Sequence, residues 1–190
     1  KKEFINFYQA LSNFQLWKEM ADSKMRARYN RTVLGPFWEI FGSLFLLLLL
    51  AFLWSKLWKV EFIDFFTYLL IGYTLWRTIL STTTEACLLY SVTYTGVLKN
   101  VKIHPFVLAI SCAYKNILTL LLNFPLILLV LYFNKELNFP SFFLTIFFLF
   151  LFFLSSISAS FLLGMLCLKY RDLEHTIGVL LGMLFFFTPI

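Results

Sequence analysis

The residues in this chain that are able to do chemistry are few, and they cluster. KYRDLEH (169–175) puts Lys169, Arg171, Asp172, Glu174 and His175 within seven positions. On a helix Asp172 and His175, three apart, would share a face, as an acid–base pair must. Three more charged residues, Arg77, Glu85 and Lys115, fall inside or at the edge of long apolar runs. A charge at membrane depth is costly and marks a functional position by default. Against these stand the absences. The sequence has no G-x-x-x-x-G-K-[ST] loop to cradle a phosphate chain and no H-E-x-x-H. His104 and His175 are far apart, and Cys87, Cys112 and Cys167 lack ligand spacing, which argues against a metal site and reads the cysteines as small buried hydrophobes. No paired carboxylates face each other within an apolar run, so intramembrane catalysis has little to work with.

The elements that must position these residues are set by composition. Of 190 residues, 61% are hydrophobic, 21% aromatic and 14% charged, where a soluble domain carries about 25% charged. The missing charge makes the class all-α, a polytopic membrane protein. A bilayer core of about 30 Å needs roughly 20 apolar residues per helix. Four complete spans meet that length, at 37–58, 62–82, 106–133 and 141–168. A fifth run, 177–190, reaches only about 21 Å at 1.5 Å per residue, so the expectation is a partial span in a truncated chain. Pro125 and Pro189 should bend their helices.

Lysine and arginine give the orientation. Eleven of the sixteen lie in 1–36, 85–105 and 169–175, and three in the two opposite loops. The positive-inside rule places the N-terminus and both links in the cytoplasm, and the +6 net charge then belongs to membrane orientation, with no nucleic-acid partner implied. Residues 1–36 form a separate unit in this reading. Phe4, Phe7, Tyr8, Leu11, Phe14 and Trp17 recur at helical spacing with polar residues between them, as in an amphipathic helix lying on the inner membrane surface. A helix packed on a soluble partner has the same pattern. Arg26, Arg28 and Arg31 would meet lipid headgroups, and Gly35-Pro36 would break the chain before the first span. Residues 37–190 form the transmembrane domain.

Small residues at four-residue spacing, Ser156, Ser160 and Gly164, then Gly178 and Gly182, let helices approach closely in lipid. They serve packing within one subunit or a seam between subunits. Glu85 and Lys115 should lie at similar depth on adjacent helices and pair, unless each snorkels to the interface. For Arg77 the functional reading is a cation facing a path for an anionic substrate.

With these motifs in place the chain resembles the permease (transmembrane) subunits of polysaccharide-export ABC transporters, the O-antigen, capsule and teichoic-acid exporters. RARYNRTVLGPFWEIFGSLF is similar to that family's approach to its first span, and GVLKNVKIHP to its cytoplasmic segment after the second. KYRDLEHTIGVLLGMLFFFTPI is the most specific match: a basic-RDL link, an apolar helix, then an aromatic run ending in Thr-Pro-Ile. The resemblance implies six transmembrane helices per subunit, of which four and part of a fifth are present here. It implies a homodimer in the bacterial cytoplasmic (inner) membrane, a separate ABC ATPase subunit that binds the ATP, no cofactor of its own, and a lipid-linked glycan as substrate. Lys99, Lys102, Arg171, Asp172 and Glu174 become candidates for ATPase coupling, which makes KYRDLEH a handle for the motor. Arg77 departs from the family pattern, where an uncharged residue is expected after Trp76. Rival readings are an ABC permease for a drug or another lipid, and an integral-membrane enzyme acting on lipid-linked sugars.

Overall fold

The computed structural model describes residues 14–30, 32–90, 104–134, 139–170 and 172–188. Six helices run through them: α1 (Phe14–Tyr29), α2 (Phe37–Trp58), α3 (Phe62–Leu88), α4 (Pro105–Phe133), α5 (Phe139–Lys169) and α6 (Leu173–Phe187). Among the described residues there is no strand. α2, α4 and the stretch Phe143–Lys169 of α5 are long and apolar enough to cross a membrane. α3 has the length, at 27 residues, but a more polar surface. α3 is the hub of the bundle and packs against α2, α4, α5 and α6. Its neighbours, not lipid, meet its polar face.

Local chemistry sets the ends. Gly35 takes φ +52, and Pro36 follows at φ −62 directly before α2. A left-handed residue then a proline is a turn that glycine makes without Cβ strain. α2 closes on Lys59, also left-handed, whose N–H bonds the Ser55 carbonyl. Glu61 and Asp64 then open α3, acids at the positive end of a helix dipole. At the start of α4, His104 Nδ1 accepts the Phe106 N–H at 3.3 Å, which gives that histidine a capping role. Pro105 occupies the first turn. Pro125 lies inside α4, which is continuous through it.

Three apolar clusters hold the bundle, one of them Ile110 and Ala113 of α4 with Ile157 of α5 under Trp17, Phe106 and Phe153. At the end away from α1, Leu47 and Ala51 of α2 meet Leu69 and Leu70 of α3, with Leu126, Ile127 and Val130 of α4 alongside. At the other end, Leu89, Tyr90, Leu108, Ala109 and Cys112 close together under Met20 and Phe161. All three cysteines are buried and free. The exposed surface is the lipid-facing one, and it is rich in Phe and Leu along α2 and α5. Trp38 and Trp58 at the two ends of α2 are exposed, where an aromatic belt would sit.

Several boundaries differ from the sequence reading. The second span was expected to end at 82, but α3 runs to Leu88, since the hydroxyls of Thr82, Thr83 and Thr84 bond back to carbonyls one turn earlier. Polar side chains there satisfy themselves and do not end the helix. α6 begins at Leu173, four residues before the expected Ile177, so Glu174 and His175 belong to its first turn. The described part of the N-terminal unit is not a helix lying free on a surface. Trp17 stacks edge-on to Tyr114 at 5.1 Å, and the Thr119 hydroxyl lies 3.9 Å from Met25 Sδ. α1 therefore runs alongside α4 and in the same direction, with Ala21 fully buried. Residues 1–13, which carry much of the amphipathic pattern, lie outside the described residues.

Candidate functional site

Among the described residues the ion pairs between helices gather in two places on the α1 side of the bundle. The first is built on Glu39, in the first turn of α2. Its Oε1 accepts from Arg77 Nη2 of α3 at 2.8 Å and from Arg28 Nη2 of α1 at 3.3 Å. Its Oε2 accepts from the Tyr29 hydroxyl. One carboxylate thus ties three helices. Burial and the bond to Glu39 push the Tyr29 phenol up to about 12, so it remains a donor at any physiological pH. The Glu39 side chain is 8% exposed, while Arg28 and Arg77 are 44% and 34% exposed. The guanidiniums form the rim and the carboxylate the floor.

Around this group opens a cleft of about 560 Å³, with Trp38, Gly42 and Ser43 of α2 on one side and Tyr73 and Leu80 of α3 on the other. It narrows into a crevice lined by Thr74, Thr78, Ser81, Asn116 and Asn123. Ser81 donates to Asn116 Oδ1 at 3.1 Å at its inner wall. A polar seam therefore leads from the charged rim into the α3–α4 contact. Arg77 lies level with the start of α2, at the edge of that span and not in its middle.

The second group lies eight residues further along α3, about 12 Å at 1.5 Å per residue. Glu85 and Lys115 form an ion pair there, Lys115 buried at 6% exposure and Glu85 at 29%. Cys112 Sγ sits 3.8 Å from the other Glu85 oxygen. Lys24 of α1 approaches the same carboxylate, and burial pulls the pKa of its ammonium down, opposed by Cys112 and Glu85. The arrangement seats α1 on α3 and α4.

The small-residue stripe of α5 is occupied by the chain's own helices. A Cβ added at Gly164 would come within 2.4 Å of the Tyr90 ring and 3.0 Å of the Ala86 carbonyl. Ser160 is fully buried, and Ser156 is nearly so. Gly178 and Gly182 differ: a Cβ at either meets nothing within 4 Å among the described residues. Asp172 is exposed at the N-terminal end of α6 and its carbonyl accepts the Thr176 N–H at 3.1 Å. His175 is exposed too, so no pocket encloses the pair. Glu174 is partly covered in the first turn. Lys99, Lys102 and Arg171 lie outside the described residues.

Glu39 is the residue of this cluster that sequence reasoning missed. It precedes Arg77 by 38 positions, and no periodicity links them. The only signal was a lone acid in the first turn of an apolar helix.

A family model described as ABC-2 type transporter matches residues 15–190. The chain belongs to the ABC-2 type transporter family. No curated protein and no solved structure matches it. As an ABC-2 chain it is a multi-pass membrane protein and an ABC permease subunit, a transport component whose family works with an ABC ATPase partner.

Proposed function

We propose that this ABC-2 chain exports a lipid-linked polysaccharide across the bacterial cytoplasmic membrane, as a homodimer driven by a separate ATPase subunit. The observation that carries the reading is the cleft at Glu39: a cationic rim at the end of an apolar span, flanked by exposed aromatic surface. A cargo with a charged group on an apolar anchor suits such a place, and a wholly apolar drug does not use it. The three sequence stretches that resemble polysaccharide exporters support the same choice.

In this reading the N-terminus, 91–103 and the 169–175 link face the cytoplasm. The ATPases close on ATP and press on those links. Lys99, Lys102, Arg171, Asp172 and Glu174 receive the push, and the helices pass it on as a change between two discrete packings. Tyr90 and Pro105 stand at the two ends of 91–103, and the Tyr90 hydroxyl donates to the Pro105 carbonyl at 3.0 Å. Motion of that segment would reach α3, α4 and, through Gly164, α5 together.

The test is capture of an ATPase with the tagged permease, followed by reconstitution and measurement of glycan-stimulated ATP hydrolysis. Asp172→Lys and Arg171→Glu should leave basal hydrolysis intact and abolish export. Full export by both variants would remove these residues from coupling. Activity on lipid-linked sugars without any ATPase would replace the transport reading with the enzyme reading.

A further inference from the structure

We infer that the cleft at Glu39 is a lateral binding site for the phosphate group of a membrane lipid, with Arg28 and Arg77 as its anion donors. The inference rests on the permease reading and narrows it to a recognised chemical group at a named place.

The donors come first. Glu39 takes one terminal nitrogen from each guanidinium, both on the same oxygen. A guanidinium carries five N–H groups in a planar fork that matches phosphate oxygens in pairs. Both side chains stay partly open to the cleft while their shared carboxylate is covered. Two cations on one anion leave a net charge of +1 at the rim. Arg77 fastens α2 to α3 and Arg28 adds α1, and each leaves a partly open guanidinium on the cleft.

Space comes second. The cleft, at about 560 Å³, falls within the range of small-ligand sites. Gly42 contributes to this space: it lines the cleft, and a Cβ there would meet nothing within 4 Å.

The third observation selects a lipid over a free anion. A groove of about 210 Å³ formed by Thr32, Val33, Leu34 and Trp38 adjoins the charged cleft and shares Thr32 and Trp38 with it. Val33, Leu34 and Trp38 are exposed there. A charged pocket that continues into an apolar groove, at the end of a 22-residue apolar helix, lies where a headgroup meets its chains. Inorganic phosphate would use the pocket and leave the groove empty.

The experiment uses the full chain in phosphatidylcholine nanodiscs and reads quenching of Trp38 by lipids with brominated acyl chains. Trp38→Phe assigns the signal. Brominated dioleoyl phosphatidic acid should quench Trp38 saturably, and brominated dioleoylglycerol, with the same chains and no phosphate, no more than the host lipid. Arg77→Gln should weaken the phosphatidic acid affinity about tenfold, the loss of one charge-assisted fork. Gly42→Leu fills the cleft from a position where a Cβ meets nothing within 4 Å, keeps all three ion-pair residues, and should abolish saturable quenching even if Arg77→Gln folds poorly. Equal quenching by dioleoylglycerol, or undiminished affinity in a folded Arg77→Gln, would overturn the site. Displacement of the lipid by equimolar inorganic phosphate would overturn the lipid assignment. Loss of the site is separable from loss of the permease reading. Absent lipid binding with the ATPase partner still captured overturns only the site, and lipid binding without any ATPase partner overturns only the transport role.

Discussion

α3 and α5 are the two helices whose comparison says most about this molecule. They are similar in length, 27 and 31 residues, and they pack against each other. α5 turns Phe143, Phe147, Phe148 and Phe150 outward, all more than half exposed, and Leu154 nearly so. α3 buries Thr67, Thr74, Thr78 and Thr82, each bonded to a carbonyl one turn back. It also carries Arg77 and Glu85 to partners on α2 and α4. Hydropathy therefore ranks the two helices by what faces lipid, not by importance. The helix that scores as the better span is the outer wall, and the one that scores poorly is the centre. In a bilayer a polar group needs an internal partner, and only a helix surrounded by other helices finds enough of them.

The contrast breaks first at Glu85. Glu85→Ala leaves the buried Lys115 ammonium without its partner and should cost about 3 kcal/mol, read as a lowered unfolding midpoint in detergent. The double change Glu85→Leu with Lys115→Met should recover most of the loss; no recovery would mean that Glu85 acts through α1 rather than through Lys115. Next comes the contact between the two helices. Gly164→Leu drives a side chain into Tyr90 and the Ala86 carbonyl and should cost about 2 kcal/mol, whereas Gly182→Leu, on the unpacked face of α6, should change the midpoint little. At the far end of α3, Asn134→Ala removes a 2.7 Å bond to the Thr67 hydroxyl. A loss of about 1 kcal/mol is expected there, measured in the same assay. The smallest effect belongs to the wall: Phe147→Leu should stay within about 0.5 kcal/mol of the parent. A large loss at Phe147 would show that α5 is covered by protein, and the comparison would need another wall.

How much of this was legible in the sequence follows from the same contrast. α2, α4 and α5 were placed to within a few residues because length and apolarity alone define a span that faces lipid. Gly35-Pro36 marked the start of α2 because only a few residue pairs make that turn. Glu85 and Lys115 were paired by depth, since each sits near the end of a run whose direction the charges suggest. The last turns of α3 were missed, because a threonine run lowers hydropathy while its hydroxyls keep the helix intact. Glu39 was missed as the partner of Arg77 because tertiary contact has no period. Trp17, Met20, Ala21, Lys24, Met25 and Arg28 form a stripe at three- and four-residue spacing that meets α4 and its neighbours. That stripe has the same period as a lipid-facing one, so the sequence reading laid it on the membrane surface.

The bond from Tyr90 to the Pro105 carbonyl has a consequence in chain entropy. Bringing the ends of a loop together costs free energy that grows with the logarithm of its length. Here the ends are held by the bundle, through a phenol whose burial pushes its pKa up and keeps its proton. The cost of bringing Tyr90 and Pro105 together is thus met once, during folding, by packing among α3, α4 and α5. Insertions or substitutions between Tyr90 and Pro105 leave those two anchors in place. The sequence between the two anchors can then change while the helices that hold them stay the same.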